Sequence, residues 1–500
     1  MKNHVLMRHA KPLLSAMAAA VLLAACAAPE FKQPQIDTPA AFKETQASTA
    51  VQTAQDGTRW TQAQVNYAER QARGQWWLAF NDSTLTGLID EATQANANLA
   101  VAAARVRQAR AIAGVAEADR IPQVGVNVGG QRNRASATSL GLPNGAPVSA
   151  ANIYQANLTA SYEVDLFGRV SANVSASRSD ALAVEATYRS VLLSLQADVA
   201  QTYFQLRATD AELATLAETV RLREESVHVN QRRYDLGDIG EFDLARARTE
   251  LSTARAEAIG LQRQRATGEH ALAVLLGKPA ASFTAVVNPL QDSAFLPAIP
   301  AGLPSTLLER RPDIASAQRT MEASNARIGV AKSAMFPSLI LNASGGGAAD
   351  TVSEIFKWSS RSWLLGALMS MPIIDGGRNK SLVTRSEAQL EESVASYRQS
   401  VLVAFAEVED NLAGLRILSG QTQQIDEAVV SARRSADLAQ KLYNAGRSSY
   451  LDLLDAQRNL SAIERSAVQL RGNRAVTTVA RIRALGGGWG EPEPQVAANN

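Results

Sequence analysis

One cysteine in 500 residues excludes an intramolecular disulfide and any cysteine-based zinc site built within a single chain. Histidine is almost as scarce. Of four, His4 and His9 fall in the first ten residues, which leaves His228 and His270, 42 positions apart and without carboxylate–histidine metal spacing around them. These scarcities argue against a hydrolase triad and a metalloenzyme. Neither sign of charge dominates: 50 Lys and Arg face 48 Asp and Glu, so the basic field of a dedicated nucleic-acid binder is missing. Aromatic residues make up 5%, low for a large all-β protein but ordinary for Ala- and Leu-rich helices. Beyond the N-terminus there is no uninterrupted apolar run long enough for a transmembrane helix. If the mature chain crosses a membrane, it must do so as a closed β-barrel. The hydrophobic share of 46% excludes wholesale disorder.

The N-terminus has the pattern of an export signal. Lys2, Arg8 and Lys11 precede the short apolar run Leu13 to Ala25, too short to span a bilayer comfortably. The run ends in Leu23-Ala24-Ala25-Cys26, which resembles a bacterial lipobox. That resemblance implies cleavage before Cys26 and a diacylglycerol on its sulfur, and the alanine at position 27 implies sorting to the outer membrane. The alternative is a buried free cysteine that follows a signal by coincidence. Acylation of this kind is a firm anchor, at about 0.8 kcal/mol per buried methylene.

Proline and glycine are missing where helices need them missing. No proline lies between Pro147 and Pro279 or between Pro372 and Pro492, and Arg169 to Leu236 contains no glycine either. These 68 residues form a helix signal that would extend about 100 Å if continuous. Apolar residues recur in a 3–4 rhythm at Leu192, Leu195, Val199, Leu206, Leu213, Leu216, Val220 and Val227, and again at Leu244, Ala247, Leu251, Ala254, Ala258 and Leu261. Such seams predict helical hairpins with coiled-coil-like packing.

The chain is written twice. Tyr234 and Gly237 recur 209 positions later as Tyr443 and Gly446, and the same offset pairs Asp243 with Asp452, Leu251 with Leu460, and Gly168-Arg169 with Gly377-Arg378. Further upstream the offset becomes 215, pairing Gly114-Val115-Ala116 with Gly329-Val330-Ala331. The expected organisation is a signal peptide at 1–25, an anchored extended segment at 26–75, and a first structural repeat at 76–290. A Pro-containing linker at 291–303, a second repeat at 304–488 and a flexible tail at 489–500 follow.

Each repeat also contains two short extended segments. Tyr154, Ala156, Leu158, Ala160, Tyr162, Val164 and Leu166 alternate with an almost wholly polar set, and Val124, Val126 and Val128 alternate in the segment before. This period of two suits a strand between lipid and water, and equally a one-sided soluble sheet. Ser338–Gly346 and Ser362–Met371 are the matching strands of the second repeat, with muddier alternation. Tyr154, Tyr162, Phe167, Trp358 and Trp363 are candidates for interfacial girdles. Four strands cannot close a barrel around a lumen, whereas three copies supply twelve.

Several motifs lie in order on this frame: Trp76-Trp77 with Phe80 and Leu85, Asp165-Leu-Phe-Gly-Arg169, Leu275-Leu-Gly277, Leu303 to Ile314 with its Glu-Arg-Arg-Pro-Asp core, Asp375-Gly-Gly-Arg378, and Tyr450 to Gln457. Together they resemble the TolC-like outer membrane factor family, specifically its lipoprotein branch, the NodT-type outer membrane efflux lipoproteins. The resemblance implies a mainly α protein with a membrane β part: a trimeric twelve-stranded barrel continued by a long helical coiled-coil barrel. It implies an exit duct for drugs or other small molecules in the bacterial outer membrane, extending into the periplasm. Its partners would be a periplasmic adaptor (membrane fusion protein) and an inner-membrane resistance–nodulation–division (RND) type transporter. Neither a catalytic site nor a cofactor is implied beyond the lipid on Cys26. The competing readings are a periplasmic adaptor lipoprotein, against which the duplication and two strand pairs argue, and a type I secretion channel.

Two site expectations follow. The turns at Tyr234–Gly237 and Tyr443–Gly446 reverse helical hairpins and are expected to meet the adaptor, the bland alternative being plain C-terminal glycine caps. Asp452 and Asp455, three apart on one helical face, are expected with Leu451 to form a periplasmic constriction, as the resemblance implies. Crowded carboxylates there should have raised pKa values. Asp452 competes with a simpler role, since Ser449-Tyr-Leu-Asp452 has the form of a capping box. Asp455 has no acidic counterpart in the first repeat, where Arg246 stands.

Overall fold

The structure is a computed structural model that describes residues 31, 42–46, 75–143, 145–291, 296–297 and 310–487. Cys26, the signal peptide, most of the 26–75 segment and of the linker, and the 489–500 tail lie outside the described residues. In order, the main elements are α1 (Ser83–Ala95), α2 (Ala97–Ala118), β1 (Gln123–Asn133), β2 (Ala151–Val164), α3 (Arg169–Asp235) and α4 (Glu241–Leu275). The second half follows with α5 (Pro312–Ser333), β3 (Ser338–Ala349), β4 (Arg361–Ser370), α6 (Arg378–Asn444) and α7 (Tyr450–Ala484). The breaker-free stretch is one continuous helix. Helices α3 and α6 each have 67 residues, and α4 and α7 each have 35, so the written duplication is also a duplication of element lengths. None of the described helices is long and apolar enough to cross a membrane.

Two compact units emerge. The first is built around Arg105–Glu185 and Ser316–Arg398. It holds a single antiparallel sheet of order β1-β2-β3-β4. Register resolves the alternation that β3 and β4 blur in sequence. Val126 pairs with Leu158, Leu158 with Gly345, and Gly345 with Trp363, so all four lie on one face. The neighbouring rows on that face are Val124, Ala160, Ala343 and Leu365, and then Tyr162, Leu341 and Ala367. The opposite face carries Asn127, Asn157 and Gly346 in one row and Thr159 beside Ser344 in the next, but β4 adds Leu364 and Leu368 there. That is why β4 reads poorly by period alone: it is apolar on both sides.

Strand ends differ from expectation by a few residues. β2 stops at Val164, short of Leu166, because Asp165 turns to cap α3. Its carboxylate accepts from the Val170 and Ser171 amides (2.9 and 2.8 Å) and from the Ser171 hydroxyl (2.6 Å). Asp375 does the same work before α6, accepting from the Gly377 and Asn379 amides at 2.9 Å each. Among the girdle candidates, Phe167 lies just beyond the end of β2 and stacks on Phe336 (centroids 5.0 Å apart), and Trp363 is close to the start of β4. Tyr154 and Tyr162 lie towards opposite ends of β2, and Trp358 is exposed in the short helical turn before β4, with Arg361 stacked over it at 4.1 Å.

The second unit is built around the described parts of Ile36–Ala104, Ala186–Ala315 and Gln399–Asn500. Trp76, Trp77, Phe80, Leu85 and Ile89 are buried in its core against Phe204 and Val199. Asp82 caps α1 through the Leu85 amide and also accepts from the Tyr203 hydroxyl and the Arg207 guanidinium, both at 2.9 Å. The Arg-Pro-Asp motif is a clamp. Arg311 donates to Asp313 (2.6 Å), to Glu407 (2.6 Å) and to the Ala484 carbonyl that closes α7 (3.0 Å). Ion pairs between α3 and α4, such as Glu224–Arg255, mark an antiparallel hairpin, as Arg433–Glu464 does for α6 and α7. Close approach of α3 and α7 depends on Gly472, since a Cβ there would sit 2.5 Å from the Ala208 methyl. Helices α4 and α7 run parallel, joined by Arg458–Glu250 (Nε–Oε2 2.9 Å) and, seven residues on, Arg465–Glu257 (2.8 Å).

Candidate functional site

The two hairpin turns have one backbone and two chemistries. Helix α3 closes in a Schellman arrangement: the Gly237 amide donates to the Tyr234 carbonyl (2.9 Å) and the Asp238 amide to the Arg233 carbonyl (2.8 Å). Helix α6 closes identically, Gly446 to Tyr443 (3.0 Å) and Arg447 to Leu442 (2.9 Å). Both glycines are left-handed, at φ 76° and 65°, where a side chain would be strained.

The following residues diverge. Helix α4 starts at Gly240, which has no side chain to cap it, and Leu236 and Phe242 stand 83% and 71% exposed, with Arg246 over the Phe242 ring at 5.2 Å. Helix α7 starts with a complete capping box. Ser449 Oγ accepts from the Asp452 amide (3.2 Å), and the Asp452 carboxylate accepts from the Ser449 amide (3.0 Å). The next residue, Tyr450, is only 6% exposed and packs with Ala247 and Leu454.

Tyr450 belongs to a polar relay. Its hydroxyl lies 3.1 Å from Ser226 Oγ, and its ring stands 5.9 Å from that of Tyr443. The Tyr443 hydroxyl accepts from Arg233 (2.7 Å) and donates to Asn230 (3.2 Å), while Arg233 Nε reaches Asp238 of the first turn. Arg233 also lies over the Tyr443 ring at 5.3 Å. The structure therefore links Tyr443 of the second turn, through Arg233, to Asp238 of the first, the residue after Gly237. It leaves Tyr234, the repeat counterpart of Tyr443, half-exposed and outside the relay.

The three expected constriction residues, Leu451, Asp452 and Asp455, all lie in the first turns of α7 and are exposed. Their carboxylates are not equivalent. Asp452 is turned back to Ser449, whose hydroxyl and amide hold its pKa below the ordinary carboxylate value, opposite to the upward direction expected from crowding. Within one protomer hydrogen bonding is what Asp452 experiences, and no like charge reaches it. Asp455 has a side chain 63% exposed, with Arg458 3.9 Å away. Arg458 is held by Glu250, which raises the guanidinium pKa and lowers that of the carboxylate.

The relay residues Ser226, Asn230 and Arg233 were not among those singled out from sequence, and Tyr450 entered only as the first residue of a motif. A signal for one of them was present. The seam Leu213, Leu216, Val220 and Val227 continues in the same rhythm through Asn230, and skips over Arg223. Polar residues at seam positions are the places to look for buried hydrogen-bonded groups. Tyr450 had no such signal, since its counterpart is the exposed Glu241.

The profile of the family described as "Outer membrane efflux protein" matches the chain twice, at residues 88–278 and 303–488. The solvent efflux pump outer membrane protein SrpC of Pseudomonas putida is 35% identical over 414 residues, covering 82% of this chain and 86% of its own. The cation efflux system protein CusC of Escherichia coli O6:H1 is 32% identical over 475 residues, 94% of this chain and 97% of its own. Among solved structures, the CmeC outer membrane channel of Campylobacter jejuni superposes with a TM-score of 0.82 at 25% identity, covering 92% of this chain and 94% of that one.

Proposed function

The chain belongs to the outer membrane efflux protein family and is the outer-membrane channel component of an efflux pump; on that premise we propose that three copies form the working duct. The observation that carries this is the sheet. Its strands have 11, 14, 12 and 10 residues, long enough to cross an outer membrane, and the rows through Leu158 and Ala160 make one face apolar across all four. Its outer strands β1 and β4 are long edges, and an edge of that length demands a partner. β4 of one copy joining β1 of the next, three times over, gives twelve strands and no edge.

The two repeats, 76–290 and 304–488, then serve one duct joined through the 291–303 linker. Cys26 carries the lipid that anchors it. The turns at Gly237 and Gly446 receive a periplasmic adaptor, which connects the duct to an inner-membrane transporter of the resistance–nodulation–division type. Leu451 and Asp455 line the periplasmic constriction, with Asp452 fixing the turn that presents them. The cargo is a drug, a solvent or another small molecule, and a passive duct of this kind takes its selectivity from the pump.

Two measurements test the reading. Purified in detergent, the protein should run as a trimer that dissociates on heating. In planar bilayers it should conduct, and Asp455→Ala should weaken cation selectivity while Asp452→Ala acts through stability. A monomer in detergent would overturn the barrel, and unchanged selectivity in Asp455→Ala would remove that residue from the constriction.

A further inference from the structure

The helical bundle of the second unit contains a cavity of about 370 Å³ where α3, α6 and α7 meet. Its apolar wall includes Leu222, Val429 and Val468. Its polar wall holds a guanidinium with no ion-pair partner among the described residues, Glu250 acting on it only through space. Arg223 lines the cavity and is 4% exposed, and its one hydrogen bond is from Nη1 to the side-chain oxygen of Gln457, a neutral partner, at 2.6 Å. The carboxylates around it are already committed. Glu218 is held by Arg221 (2.6 Å), Glu464 by Arg433 (2.8 Å) and Glu250 by Arg458. Among the described residues no carboxylate comes within ion-pair distance of Arg223. Burial accordingly pushes its pKa down from the usual arginine value.

A guanidinium has five N–H donors in a fixed fork and stays charged, and with one of them given to an amide oxygen the others face the cleft, where water or an anion can accept them. The fork matches two oxygens of an oxyanion. Beside it on the cavity wall lie the hydroxyls of Thr219 and Ser461, 3.1 Å apart; Thr219 donates to the Thr215 carbonyl (3.2 Å), which leaves the Ser461 proton able to turn outward. We propose that this cavity is a binding site for a small oxyanion of the carboxylate, phosphate or sulfate type, held by Arg223 with Thr219 and Ser461. The bound anion would bridge α3 to α7, and through Gln457 and its contact with Gln440 (3.3 Å) it would reach α6. The site lies in a cleft between α3, α6 and α7 that opens to the bundle surface, apart from the turns and from the expected constriction.

The test uses the full-length protein in detergent, with inorganic phosphate, selenate and acetate each compared against chloride at equal ionic strength. Phosphate or selenate should raise the thermal midpoint in a saturable way, and selenium anomalous scattering from soaked crystals should place a peak inside the cavity. A response to acetate without one to phosphate or selenate would assign the site to carboxylates. Arg223→Met should abolish the anion-specific rise, and Arg223→Lys, which keeps the charge and loses the fork, should weaken it by at least about tenfold. If Arg223→Met does not fold, Thr219→Val, which leaves the cation in place, should still weaken the response. An equal rise in Arg223→Met, or crystals whose cavity contains only water after selenate soaking, would overturn the proposal.

Discussion

The first and second hairpin turns start from the same backbone and end with different tasks. Both close a 67-residue helix with a left-handed glycine and the same pair of Schellman hydrogen bonds. After that point the second turn invests in its own bundle, through a capping box, a buried tyrosine and a relay to α3. The first remains open, with an uncapped glycine and two exposed apolar side chains. Duplication kept what the reversal needs and released the rest. The second turn is thus the more firmly fastened, and the first leaves more apolar surface exposed.

The largest expected effect is at the buried tyrosine. Tyr450→Ala should destabilise the detergent-solubilised protein by about 3–5 kcal/mol, as emptying an aromatic core site does. Glu241→Ala, its repeat counterpart, should stay within about 0.5 kcal/mol. Denaturant unfolding followed by helical circular dichroism measures both, and equal losses would erase the distinction drawn here.

Gly237→Ala and Gly446→Ala should each cost about 1–2 kcal/mol, because the left-handed conformation is common to the two turns. A loss at one turn alone would show that their backbones are not equivalent. Next comes capping. Ser449→Ala should cost about 1 kcal/mol, while Gly240→Ser, at a site where φ is −82° and a Cβ meets nothing, should gain a few tenths by supplying the missing cap. Stability curves of the two single variants decide this.

The smallest effect is one of pH. Asp452 has a lowered pKa in the folded chain, so its contribution is present above the unfolded carboxylate value and is lost as pH falls through the folded one. The penalty of Ser449→Ala should therefore shrink in acid, below about pH 4. A penalty that is the same at neutral and acidic pH would mean that the serine acts without the aspartate.

Most of the architecture was legible because it depends on one-dimensional patterns. Missing glycine and proline from Arg169 onward left helix as the economical conformation, and the 209-residue offset announced equal elements before any were seen. β3 and β4 were harder, since a face apolar on both sides has no period, and only pairing partners such as Gly345 and Trp363 restore it. The turns could be placed from their glycines, but their inequality could not. Whether Tyr450 is buried depends on Ser226 and Ala247, which are more than two hundred positions away. Within one copy Asp452 feels the serine three residues back, whereas a ring of charges is a property of the assembly.

The ion pairs between α4 and α7 have a genealogical consequence. Glu250 meets Arg458 and Glu257 meets Arg465, each 208 positions apart, almost the 209 that separates the two halves in sequence. Equivalent levels of the two halves thus lie side by side and point the same way, as they would in two separate half-length chains. If three copies close a ring, as proposed above, the six half-chains alternate around it and the ring has two kinds of seam. The counterparts of Glu250 and Arg458 are Asn459 and Thr249, so this ion pair exists at one seam and cannot form at the other. A sixfold ring must open everywhere or nowhere, whereas a ring with alternating seams can keep one set fastened while the other parts.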